Sequence, residues 1–167
     1  KEDPTKPAVA GEPGELLCAG PQIMKGYWNR PDADADIFVD GYLRTGDVAT
    51  IDDDGFIYIV DRLKDMIAVG GFKVFPSQIE DIIYRHPDVK EALVIGVPDS
   101  YAGEKPVAFV TLDTGSTSSG EDLVSWLNPR LGKHERVANV IIRETMPKTM
   151  IGKLDRKALR AEISGRD

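Results

Sequence analysis

The residues best equipped for chemistry sit in a few short stretches, and the sharpest is PKTMIGKLDRKAL, from Pro147 to Leu159. It sets Lys153 behind Gly152 on a loop that opens a helix. Lysine is a compact point charge on a flexible stem, the kind of group that can stabilise negative charge as it builds at a reacting centre. Gly152 lets the loop approach a ligand closely. A Walker phosphate loop is excluded, because GxxxxGK would need glycine where Pro147 stands. Asp47, in RTGD, is a carboxylate that can accept both hydroxyls of a ribose diol. Arg62 and Lys64 fall in the charged run DRLKD, and Gly70-Gly71 separate two apolar stretches. Each also has a plain reading: a solvated lysine, a turn aspartate, a surface ion pair, two turn glycines. His86 and His134 lack metal-ligand partners at suitable spacing, so no metal ligand is assigned.

The elements that must position these residues follow from pattern. Residues 1–13 are polar, carry three prolines and lack periodicity. GELLCAGPQIMKGYW (14–28) suits short strands broken by glycines, and one acidic helical turn follows Pro31. VATI and FIYIV flank DDDG, a hairpin signal; MIAV and FKVF flank Gly70-Gly71, a second one. Ser77 and Glu80 have the spacing of a capping box, so a helix is expected from there to Pro87, with Ile79, Ile82 and Ile83 inward. VKEALVIGV and KPVAFVTL read as strands. STSSG reads as a linker into a helix over 119–131 that Pro129 must kink or end, with Leu123, Trp126 and Leu127 inward. VANVIIR is a further strand, and a last short helix is capped by Asp155. The fold class expected is α+β: a strand-rich stretch (1–60), a charged link (61–65), and a small α+β domain (66–167) built of a hairpin, a three-stranded sheet and helices.

Composition narrows the function classes. The 167 residues carry 21 Lys+Arg against 28 Asp+Glu, a net charge of −7. That balance argues against a nucleic-acid binder, although Lys148, Lys153, Arg156, Lys157 and Arg160 cluster near the end without interleaved aromatics. The single Cys18 rules out an internal disulfide framework and suits a reducing compartment. No apolar run nears the roughly 18–20 residues that a membrane helix needs. A cytoplasmic protein without a membrane span is the expectation.

GYLRTGD, DRLKDMI, GGFKVFPSQIE and PKTMIGKLDR, in that order, resemble the C-terminal part of the acyl-adenylate-forming superfamily, from about Gly11 to about Leu159. The superfamily includes acyl-CoA synthetases, firefly luciferase and peptide-synthetase adenylation domains. The resemblance implies an AMP-forming acyl-CoA ligase of the fatty-acyl or aryl-acyl branch. Its substrates would be a carboxylic acid, ATP and CoA, with Mg2+ held in a part of the large domain that these residues do not include. It implies that Lys153 is catalytic in adenylation, Asp47 binds the ATP ribose, Arg62 is a basic nucleotide contact, Lys64 is the hinge, and the Gly70-Gly71 hairpin approaches the pantetheine arm of CoA.

Departures from the family pattern are Ile151, where Ser or Thr is usual, and His134-Glu135-Arg136-Val137, where Tyr-Lys-x-Pro is usual. The phosphate loop and the aromatic-Gly-x-Thr-Glu segment, expected upstream, do not occur. The chain is therefore expected to be the tail of a large domain followed by a small mobile domain, partnered by the rest of the large domain and not competent alone. Alternatives are a non-catalytic α+β binding module and, within the superfamily, a luciferase-like or peptide-synthetase-type enzyme.

Overall fold

The computed structural model describes residues 6–164, and its chain divides into two compact units, Lys1–Lys64 and Asp65–Asp167. Residues 1–5 of the proline-bearing opening stretch lie outside the described residues.

The first unit holds β1 (Gly14–Cys18), α1 (Pro31–Ile37), β2 (Phe38–Val39), β3 (Tyr42–Ile51) and β4 (Ile57–Arg62). The long β3 is central: β1 runs antiparallel along one edge, while β2 and β4 share the other. The β3–β4 connection is the DDDG turn, and Asp52 closes it. Its carboxylate accepts the Asp54 and Phe56 N–H groups (3.1 and 2.8 Å) and the Tyr58 hydroxyl (3.0 Å). An aspartate whose side chain satisfies turn donors is what makes this tetrapeptide a hairpin.

Of the strands expected over 14–28, only β1 forms. Beyond it the backbone turns on itself, and Tyr27 N–H donates to the Asp34 carboxylate at 2.8 Å. Donors satisfied locally have no need of a ladder.

The second unit holds β5 (Ile67–Val69), β6 (Phe72–Val74), α2 (Pro76–Ile83), β7 (Val89–Asp99), β8 (Gly103–Leu112), α3 (Gly120–Leu127), β9 (Asn139–Ile142) and α4 (Arg156–Ser164). β7 and β8 form a long antiparallel pair, β9 joins β8 in parallel, and the β5–β6 hairpin extends the sheet from the start of β8. This is the expected hairpin plus three-stranded sheet. β7 and β8 lack polar–apolar alternation because both their faces are covered. Ala92, Val94, Ala108 and Val110 pack under α2 and α3, whereas Leu93, Ile95, Val107 and Phe109 pack with Met146 and with Leu159 of α4.

Three local expectations are corrected. α2 begins two residues before the expected start, with Phe75 as N-cap and Pro76 at its first position, and no side chain caps it. Glu80 turns away from a capping role: its carboxylate accepts the Val94 N–H of β7 at 2.7 Å. The capping box instead belongs to α3, between Ser119 and Asp122. That helix ends at Leu127, where the ring of Pro129 forces a 3₁₀ turn over Asn128–Arg130. STSSG is more than a linker: Ser118 and Ser116 both donate to Asp88, and they hold its carboxyl below the ordinary range.

Candidate functional site

Asp47 and Arg62 meet in the first unit. They are directly paired in register across β3 and β4, with Arg62 Nε 2.8 Å from Asp47 Oδ1. Thr45, within the same RTGD stretch, fixes the approach. Its hydroxyl donates to Leu16 O on β1 at 2.8 Å and accepts the Asp47 N–H at 3.0 Å. Arg44 grips Glu15 of β1 with Nε and Nη2 (2.7 Å for the shorter contact), and that carboxylate raises the Arg44 pKa. Arg44 and Thr45 of RTGD are thus structural or positioning, and Arg62 is the cation that Asp47 pairs with among the described residues.

Lys64 is the exposed middle residue of a 3₁₀ turn, Leu63–Asp65, where the two units divide. Gly70 and Gly71 form the β5–β6 turn, with φ of +58° and +86°. Positive φ at both central positions is the type I′ condition that matches the twist of a two-residue hairpin. A Cβ at either glycine would meet nothing, so conformation and not space selects glycine there. Phe72, next in line, stacks on the His134 ring at 3.6 Å between centroids. Glu135 closes its own turn by accepting the Gly132 N–H at 2.8 Å.

Lys153 lies in the second unit, on a tight loop. Lys148 and Leu154 form an antiparallel bridge, Thr149 N–H donates to Lys153 O (2.7 Å), and Lys153 N–H donates to the Thr149 hydroxyl (3.2 Å). Gly152 turns the chain with φ of +80°. Met150 and Ile151 form an exposed tip, and the Lys153 side chain is exposed with no ion pair among the described residues. The basic cluster read near the C-terminus does not form a patch of free charge: Lys148 pairs with Glu91, and Arg156 and Arg160 pair with Asp65.

Sequence reasoning missed this last group. Arg156 Nε donates to Val94 O (3.1 Å), its Nη1 reaches Asp65 Oδ2 (3.3 Å), and its Nη2 bonds the Glu80 carboxylate (2.5 Å). Arg160 adds a 2.8 Å bond to Asp65 Oδ1. The side chains of Arg156, Asp65 and Glu80 are only 16%, 11% and 13% exposed. Nothing local in the sequence marks residues this far apart as partners. Asp65, Arg156 and Arg160 stand in charged stretches, DRLKD and DRKALR, which carry no sign of which members are buried and paired.

With this geometry in view, known proteins give the family. The family described as AMP-binding enzyme C-terminal domain matches residues 78–153. Residues 78–153 belong to that family. A long-chain-fatty-acid–CoA ligase of Bacillus subtilis (strain 168) is 42% identical over 155 residues, covering 93% of this chain and 28% of the relative. A feruloyl-CoA synthase of Amycolatopsis sp is 43% identical over 149 residues, covering 89% of this chain and 30% of the relative. Among solved structures, ATP-bound MatB from Rhodopseudomonas palustris superposes with a TM-score of 0.87 at 35% identity, covering 93% of this chain and 31% of that one. The chain therefore spans less than a third of the length of these relatives. Within the AMP-binding enzyme C-terminal domain, Lys153 is the last matched residue, at the end of the pinned loop. No helix among the described residues is long and apolar enough to cross a membrane.

Proposed function

We propose that this chain is the C-terminal part of an AMP-forming acid–thiol ligase that activates a fatty or aryl carboxylic acid with ATP and passes the acyl group to CoA. In the first step a carboxylate oxygen attacks the α-phosphorus of ATP and pyrophosphate leaves. In the second the CoA thiol attacks the acyl carbon and AMP leaves. The observation that carries the reading is Lys153: an exposed ammonium, unpaired among the described residues, on a loop whose backbone is hydrogen-bonded on both sides.

The first step brings two anions together and builds charge on the α-phosphate. A positioned cation that bridges them lowers that barrier by on the order of 10²–10³ in rate. Asp47 would take the ribose hydroxyls, and Arg62, held beside it at 2.8 Å, would face a phosphate. Lys64 would be the pivot between the two half-reactions, and the Gly70-Gly71 turn would lie by the pantetheine arm in the second. No three His, Cys, Asp or Glu side chains gather as a metal site among the described residues, so Mg2+ is assigned no ligand here and no step. The acid class is supported by the relatives, one named for long-chain fatty acids and one for a ferulic acid.

The test is carboxylate-dependent ATP–pyrophosphate exchange by the full-length protein. Lys153→Ala should remove most of the exchange, on the order of 10²-fold, while thioester formation from supplied acyl-adenylate persists. Equal loss of both half-reactions would sink the assignment.

A further inference from the structure

We propose that Arg156 is a positioning residue for Lys153, and that the cluster Asp65–Arg156–Glu80 fixes the lysine loop to the residue that follows the hinge. The inference rests on the function proposed above. Arg156 is the first residue of α4, three positions after Lys153, and its planar fork reaches three separate elements at once. Nε takes Val94 O of β7, one Nη takes Asp65 in the 3₁₀ turn, and the other takes Glu80 of α2. Glu80 is held in turn by the Val94 N–H, so its carboxylate cannot swing to follow a moving partner.

The loop is fastened at its other end as well. Lys148 pairs with Glu91 of β7, and Asp155 N–H donates to Pro147 O at 2.8 Å, closing the loop on itself. Asp155 also caps α4 by accepting the Ala158 N–H at 3.0 Å. The 148–154 hairpin is therefore clamped to β7 on one side and, through Arg156, to β7, α2 and Asp65 on the other. A flexible lysine on a rigid mount reaches a fixed place. One on a loose loop does not, and a misplacement of about 1 Å can cost on the order of 10²-fold in rate.

Because Asp65 stands directly after Lys64, the clamp also sets where the rigid body begins. Arg156 and Arg160 both hold the Asp65 carboxylate, at 3.3 and 2.8 Å, so Asp65 moves with α4 and the pivot lies before it. Lysine cannot replace Arg156 in this role. An ammonium keeps the charge but cannot present three donors in one plane to Val94 O, Asp65 and Glu80.

The experiment uses the full-length protein and three readouts. Arg156→Lys should lower pyrophosphate exchange roughly ten- to hundredfold through kcat, with the KM for ATP little moved, and should lose far less in thioester formation from supplied acyl-adenylate. Amide hydrogen exchange at Gly152 and Lys153 should quicken, while the melting temperature of the protein falls by only a few degrees. Glu80→Gln, which keeps the shape and removes one charge of the cluster, should give the same split and serves if Arg156→Lys does not fold. Equal loss in both half-reactions, unchanged exchange kinetics at Gly152 and Lys153, or full activity in either variant would overturn the proposal. If wild-type protein shows no pyrophosphate exchange at all, the function proposed above fails first, and the loop amides alone decide whether Arg156 holds the loop.

Discussion

Arg62 Nε lies 2.8 Å from Asp47 Oδ1, and the two residues are directly opposite each other on adjacent strands. As a structural feature this pair is weak: the Arg62 side chain is 57% exposed, and exposed ion pairs are worth about 0–1 kcal/mol. A role in nucleotide binding is a far larger effect. Hydrogen bonds to charged groups contribute roughly 1.5–3 kcal/mol, which is tenfold or more in affinity.

These magnitudes separate the two roles. Asp47→Ala in the full-length protein is expected to cost less than about 1 kcal/mol of stability and to raise the KM for ATP by tenfold or more. Arg62→Ala should act in the same direction, and a double-mutant cycle should show the two coupled in ATP binding. An unchanged KM in both single variants would reduce the pair to a cross-strand contact.

Lys64 allows a sharper test of the hinge. It sits in a 3₁₀ turn, whose φ near −50 to −70° is one that proline also adopts, so Lys64→Pro keeps the φ of this turn. What proline forbids is another φ. The expected result is pyrophosphate exchange near the wild-type rate with thioester formation severely slowed. Wild-type thioester formation would exclude rotation at this residue.

Acid should probe the β7–β8 turn. Asp99 accepts from Lys105 Nζ at 2.6 Å and from the N–H groups of Ala102 and Tyr101, and these partners, Lys105 foremost, hold its pKa at about 2 against an ordinary 3.8. Below 3.8 the unfolded chain binds more protons than the folded one, so this contribution is complete above that pH and is lost as pH falls towards 2. Asp99→Asn removes the linkage, and its stability should fall less steeply than wild type between pH 4 and pH 2. Parallel slopes in acid unfolding curves would show that Asp99 does not titrate with folding.

The hairpins, the order of strands and helices, and the place of Lys153 were legible in the sequence because their causes are local. Asp52 satisfies its own turn, Gly70-Gly71 supply positive φ, Asp155 caps the helix behind the lysine, and β7 and β8 announce two covered faces by unbroken apolar runs. Where the sequence misled, a distant group had outbid a near one. Glu80 has capping-box spacing from Ser77, yet its carboxylate serves the Val94 N–H and Arg156, fourteen and seventy-six residues away.

A carboxylate at that depth must take the partners that best replace water, and the fold brings up a strand amide and a guanidinium. By itself the sequence determined the type of each element and the residues fit for chemistry. Only the tertiary structure decided that Arg62 faces Asp47 across one rung of a ladder, and that Arg156 ties the lysine loop to Asp65. The first depends on the exact register of a hairpin that shifts between Val48 and Ala49, and the second joins residues 91 apart, where no spacing rule reaches.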